Sequence, residues 1–208
     1  MVDRNDGNIL IVITDEKEST KKDEETLGST IIVENKKLIA MRQRRIVHFG
    51  KIIEKIAVSE ASIIKTMGDS LLIRLHSGSM ADFITKLFCV WNNLKTDCPI
   101  RVAVHLAETG RILTGNDLKP MVEKIGRNIA DLKTCWPCSE HIEHDIFGPD
   151  MNLAARIAKI PDGALFVISS QVLNALKDEL GPDFEKDNLF SDILISEGIP
   201  IVFMKGIS

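Results

Sequence analysis

Asn8 to Thr14 read NILIVIT, an unbroken apolar run that stops at Asp15. A run this short, rich in β-branched residues and lacking polar alternation, is a strand buried on both faces, or the central strand of a sheet. This constrains the fold more than any other stretch. Later segments supply the rest of such a sheet. ASIIKT and SLLIRL flank Met67-Gly68-Asp69 and predict a hairpin, with Gly68 giving the turn its conformational freedom. IRVAVHLA, ALFVIS, LFSDILI and IPIVFM predict four further strands.

Helical periodicity lies between the strands. Leu38, Ile39, Ile46, Val47, Ile52, Ile53 and Ile56 recur at helical spacing over about 37–56, with Arg42, Arg44 and Arg45 on a solvated face. MADFITKLFCVWNNL is strongly amphipathic. Asn116 to Lys133 predict a helix with Pro120 in its first turn, and DMNLAARIAKI a short helix halted by Pro-Asp-Gly. SQVLNALKDEL follows, with Ser170 as its expected N-cap. The alternation, with one inserted hairpin and no internal repeat, predicts a single α+β domain over 1–208: a mostly antiparallel sheet flanked by helices.

Bulk properties exclude several functions. A formal net charge of -4 disfavours nucleic-acid binding, which calls for a basic excess. No apolar stretch approaches membrane-spanning length, and the polar start MVDRNDGN is unlike a signal peptide. Four cysteines in 208 residues do not make a disulfide scaffold, so a reduced, cytoplasmic protein is expected.

Candidate chemistry sits at element ends. Asp15 closes the first strand and Asp69 lies in the hairpin turn; if their strands are neighbours the two carboxylates meet. Paired carboxylates repel unless a cation separates them, and an all-oxygen, solvent-accessible site favours Mg²⁺ or Mn²⁺ held together with a substrate phosphate. Asn152 and Arg156, four apart, share one helix face and could clamp a phosphoryl group and a sugar oxygen. Asp145, before a Gly-Pro turn, is an N-cap, a turn former or a ligand acceptor. His105, in an apolar strand, is expected to be a buried structural histidine. Met67 and Phe147 are expected to be core or pocket wall.

Taken in order, ILIVITDEKEST, KTMGDSLLIRL, RVAVHLAETG, DIFGPDMNLAARI and FMKGIS resemble the catalytic domain of the class III nucleotidyl (adenylate/guanylate) cyclases. The resemblance spans about residues 8–208, and its helix motif, Asp-x-x-Gly-x-x-Val-Asn-x-Ala-Ala/Ser-Arg in the family, is the most specific part. It implies a ferredoxin-like core with an insertion around 111–144. Asp15 and Asp69 match the metal-binding aspartates, and Glu16 stands where a backbone carbonyl also reaches a metal. Lys65 and Asp145 match the pair that reads the base, Asn152 the residue that orients the ribose, Arg156 the one that stabilises the transferring phosphoryl group, and Lys205 the triphosphate lysine.

The implied reaction converts a nucleoside triphosphate, ATP in preference, to a 3′,5′-cyclic nucleotide and pyrophosphate with two Mg²⁺ or Mn²⁺ ions per site. The implied assembly is a homodimer with sites shared between chains: Asp15 and Asp69 of one face Lys65, Asp145, Asn152 and Arg156 of the other. Two alternatives stay open at this point. One is a pyrimidine (UTP/CTP) cyclase of bacterial antiphage signalling; the other is a silent nucleotide-binding regulatory domain.

Two departures from the family are plain. Glu18 replaces a glycine in the loop that cradles the triphosphate, which sets a carboxylate against phosphate. Residues 111–144 are much longer than the family's strand-turn-strand and contain Cys135, Cys138, His141 and His144. These four have knuckle-like spacing, open to a zinc site, a redox pair or plain packing around Trp136.

Overall fold

The computed structural model of the chain describes residues 9–16, 40, 43–44, 46–53, 55, 60–67, 70–75, 77–95, 100–108, 111–114, 146–160, 166–181, 194–196 and 199–204. Strand β1 (Ile9–Glu16) contains the apolar run, and helix α1 covers residues 46–53. The hairpin is β2 (Ala61–Met67) and β3 (Ser70–Leu75), followed by α2 (Met80–Leu94) and β4 (Ile100–Ala107). Then come β5 (Leu113–Thr114), β6 (Ile146–Phe147), α3 (Pro149–Ala158), β7 (Phe166–Ser169) and α4 (Ser170–Leu180). The last strands are β8 (Leu194–Ser196) and β9 (Ile199–Met204).

Seven strands form one mixed sheet in the order β2-β3-β1-β4-β7-β9-β8, while β5 and β6 make a separate two-stranded ladder. β1 is central, antiparallel to both β3 and β4. With α1 and α2 as its two helices, this four-strand unit has the β-α-β-β-α-β order of a ferredoxin-like core. Among the described strands β4 and β7 are the one parallel pair, as the crossover through α3 requires.

Burial explains the unbroken apolar run. Leu10 and Val12 face one layer and Ile11 and Ile13 the other, and none is more than 3% exposed. The first layer holds α1, α2 and α4, packed on Leu71, Ile73, Val102, Val104, Phe166 and Ile168. Phe88, Trp91 and Phe166 stack there at centroid distances of 5.4 to 5.8 Å, and the Trp91 indole N–H donates to the Ile100 carbonyl at 2.8 Å. The second layer is α3, whose Ala154, Ile157 and Ala158 pack on Ile11, Ile13, Ala103 and Val167.

Helix ends follow local chemistry. The Ser79 hydroxyl caps α2 by accepting from the Asp82 N–H at 3.1 Å. Ser169, rather than the expected Ser170, caps α4: its hydroxyl accepts from the Val172 N–H at 3.4 Å while its backbone is still extended at the end of β7. The α3 N-cap is Gly148, not Asp145, and Pro149 takes the first helical position. The expected helix over 37–56 is described over 46–53 with flanking helical residues, and the one expected over 116–133 lies outside the described residues.

Candidate functional site

Asp15 is half-buried near the end of β1. Strand alternation sets it on the face of Ile11 and Ile13, the same face that α3 covers. Its carboxylate accepts a hydrogen bond from the Ser70 hydroxyl at 3.0 Å. One residue inward, the buried Thr14 hydroxyl accepts from the Leu71 N–H at 3.1 Å, which fixes the strand end. The β1–β3 pairing therefore brings Asp15 level with the residue that follows Asp69. Asp69 itself lies outside the described residues, and so does the Glu16 side chain; the Glu16 backbone pairs with Ile100.

On the other side of Asp15 the register places Arg101 of β4. The Arg101 Nε is buried and has no hydrogen-bond partner among the described residues. Its position is legible in the alternation of IRVAVHLA, where Arg101, Ala103, His105 and Ala107 share one face, but nothing in that pattern marks it as part of a site. The Asp15 carboxylate and the Ser70 hydroxyl are hard oxygen donors of the type that fits a divalent ion such as Mg²⁺ when further oxygen ligands join them. Among the described residues no group of three or more His, Cys, Asp or Glu side chains is gathered.

Asn152 and Arg156 are both exposed on α3, opposite the stripe of Ala154, Ile157 and Ala158 that packs on the sheet. They thus face outward from the chain's own sheet. The backbone of Lys65 pairs with Leu72 just after a bulge at Ile64, where the register shifts; its side chain lies outside the described residues. Asp145 and Lys205 also lie outside them, next to β6 and β9 respectively, as do Glu18, Cys135, Cys138, His141 and His144.

A buried polar chain, of which the local sequence predicts only His105, runs behind α3. Asp150 is 2% exposed. It accepts from the Arg111 Nε–H at 2.6 Å and from the Glu108 N–H at 2.9 Å. His105 is 1% exposed; its Nδ1 lies 3.0 Å from the Ser169 hydroxyl and its Nε2 lies 3.9 Å from Asp150. Ser169 Oγ also accepts from the Val172 N–H, and with two lone pairs it can either donate to Nδ1 or accept from it, so the histidine tautomer sets the direction of that bond. Burial lowers the His105 pKa, opposed by the Asp150 charge.

Hydroxyl, imidazole and carboxylate are the components of a nucleophilic triad, but this set is a brace. Ser169 is fully buried and capping α4, and 3.9 Å is too long for the His105–Asp150 hydrogen bond such chemistry needs. The signal for Asp150 was its place just after Gly-Pro at a helix start; its distant partners gave no local pattern.

No protein-family model and no curated protein matches the chain. Solved structures do. A structure named as an adenylate/guanylate cyclase/hydrolase from Silicibacter pomeroyi is 16% identical, with a TM-score of 0.53 over 96% of this chain and 98% of that one. The catalytic core of a rhodopsin-guanylyl cyclase of converted specificity, in complex with ATPαS, is 11% identical with a TM-score of 0.60, covering 96% of each chain. The adenylyl cyclase CyaB from P. aeruginosa is 13% identical with a TM-score of 0.55, over 97% of this chain and 95% of that one. This chain has the fold of the class III adenylate and guanylate cyclase catalytic domains.

Proposed function

We propose that the chain is a nucleotidyl cyclase that converts a nucleoside triphosphate, ATP in preference, to a 3′,5′-cyclic nucleotide and pyrophosphate. The observation that carries this reading is the placement of Asp15 in a cyclase fold: at the end of the central strand, level with the residue after Asp69, and flanked by Arg101.

Asp15, Asp69 and the Glu16 carbonyl would hold two Mg²⁺ or Mn²⁺ ions. Ions held there would supply positive charge that favours ionisation of the 3′-hydroxyl and offsets the charge on the pyrophosphate. Arg101 and Lys205 supply positive charge for the triphosphate. Lys65 and Asp145 read the base: a cation offered to a ring acceptor and a carboxylate accepting from the adenine amino group. Asn152 orients the ribose so that the 3′-oxygen stands in line with the α-phosphorus. As the 3′-oxygen bonds to phosphorus and the bond to the pyrophosphate oxygen breaks, Arg156 faces the charge on the α-phosphoryl oxygens.

A homodimer with shared sites is part of the same reading. The outward face of Asn152 and Arg156 supports it, since side chains exposed on α3 are placed to meet a second copy. Among the structural neighbours, the guanylyl cyclase domain of the RhoGC fusion protein from Blastocladiella emersonii is described as a non-canonical dimer and, as a double mutant, as a monomer. Because both adenylyl and guanylyl cyclases share the fold, the base is decided by residues 65 and 145 and by assay. Purified protein incubated with each of the four NTPs and Mn²⁺ or Mg²⁺ is expected to yield a cyclic product, with ATP preferred in competition. Absence of product from every NTP at high protein concentration refutes the activity. Preference for UTP or CTP moves the assignment to a pyrimidine cyclase.

A further inference from the structure

Asp150 is the only buried carboxylate among the described residues, and it does not cap its own helix. Both of its hydrogen bonds go to the chain just beyond β4: one oxygen to the Arg111 guanidinium, the other to the Glu108 N–H. A backbone contact reinforces this tie. A Cβ at Gly148 would stand 2.4 Å from the Arg111 carbonyl oxygen, so the turn into α3 rests directly on residue 111. Just beyond, Leu113 pairs with Phe147 and Thr114 with Ile146. The start of α3 is thus pinned to the exit of β4 by two side-chain bonds, a close backbone approach and a short ladder.

Asp150 also begins the stripe of α3 that faces the sheet, followed by Ala154, Ile157 and Ala158. An apolar side chain in that place would avoid the cost of burying a charge. What a buried ionic contact supplies instead is direction. An apolar stripe of small residues allows a helix to roll or slide by a fraction of a turn, whereas a carboxylate held by two fixed donors does not. Asn152 and Arg156 follow Asp150 by two and six residues on the same rigid helix, so the rotation that Asp150 sets is the rotation they present.

We propose that Arg111 and Asp150 are positioning residues for Asn152 and Arg156, holding α3 at the rotation and height that the reaction requires. The proposal rests on the cyclase reading for what Asn152 and Arg156 do. Arg111 is the end of the lock that can be opened without leaving a cavity, because half of its side chain is exposed.

The test uses the full chain with Arg111→Ala, Arg111→Lys and Asp150→Asn. Steady-state turnover is measured on the NTP that the wild type cyclises best, and backbone amide exchange is followed through α3, β1 and β4. Arg111→Ala is expected to lower kcat by about tenfold to a hundredfold, with KM changed by less than about threefold, because misplacement acts on the transition state. Exchange over 149–158 should quicken while β1 and β4 hold their protection, Arg111→Lys should recover most of the turnover, and Asp150→Asn should resemble Arg111→Ala. Wild-type kcat and wild-type α3 exchange in Arg111→Ala overturn the proposal. So does exchange that quickens evenly through the sheet, which makes the pair a general stabiliser. A wild type that forms no cyclic product refutes the cyclase reading alone. The lock is then judged on exchange, and unchanged α3 protection in Arg111→Ala overturns it.

Discussion

Gly148→Ala probes the joint between α3 and residue 111, and Gly181→Ala is its internal control. Gly148 has φ 124° and ψ -177°, and Gly181 has φ 85° and ψ 179°. Both lie in the region that is essentially reserved for glycine, so alanine at either position stores about 1–3 kcal/mol of backbone strain. Their surroundings differ. A Cβ at 181 meets nothing within 4 Å, whereas a Cβ at 148 lies 2.4 Å from the Arg111 carbonyl oxygen and 3.2 Å from its carbon. To restore ordinary contact the Arg111 peptide must retreat by about 1 Å, and peptide groups have no rotamer through which to yield. That retreat strains the β5–β6 ladder, where lost hydrogen bonds cost about 1–3 kcal/mol.

Gly148→Ala is therefore expected to destabilise the fold by about 2–6 kcal/mol in total, and by at least about 1 kcal/mol more than Gly181→Ala. Urea unfolding followed by far-UV circular dichroism measures both, provided the two variants share the wild-type denaturant slope. Turnover should separate them further, since only position 148 adjoins the helix that bears Asn152 and Arg156. A Gly148→Ala variant no less stable than Gly181→Ala refutes the argument that the turn into α3 rests on the Arg111 backbone.

Three further outcomes are expected. Asp15→Asn keeps an acceptor for the Ser70 hydroxyl but removes the charge that would hold a metal, so a Mn²⁺ titration of product formation should show at least about a hundredfold loss of turnover with little change in thermal stability. Asp69→Ala and Arg156→Ala, each inactive, should regain partial activity when mixed; a mixture that stays dead despite subunit exchange counts against shared sites. His105 is held below the ordinary histidine value, first by burial and then by Arg111, against Asp150 and Glu108. A lowered folded pKa means that the unfolded chain takes up the proton first. The stability this provides is complete above about pH 6.5 and is lost as pH falls from there toward the folded pKa, by at most about 1.4 kcal/mol per pH unit. Urea midpoints taken between about pH 7 and 5.5 should fall less steeply in His105→Gln than in the wild type; equal slopes contradict the assignment of a neutral, buried imidazole.

Much of the architecture was legible along the chain because burial writes a periodic pattern into local sequence. The limits of α2 and β4 follow from MADFITKLFCVWNNL and IRVAVHLA, and the two-sided burial of β1 follows from its unbroken apolar run. Alternation and helical period are properties of neighbours, and neighbours are what a sequence displays. The Asn152–Arg156 face was legible for the same reason, being set by helical spacing within one element. Ends were less legible: Ser169 and Ser170 offer the same hydroxyl, and only the point where β7 stops pairing chooses between them.

Partnership across distance was decided by the tertiary structure alone. Asp15 faces Ser70 and Arg101 because β1 lies between β3 and β4, an arrangement no local pattern encodes. The bulge at Ile64 depends on how β2 and β3 fit, not on either strand by itself. Asp150 is 39 positions from Arg111, and an aspartate in a first helical turn looks the same in sequence whether it faces water or a buried guanidinium. The sequence by itself determined which elements form and which faces they bury. The tertiary structure decided which charges meet, because electrostatic and hydrogen-bond partners are selected by strand order and helix placement, which act across tens of residues.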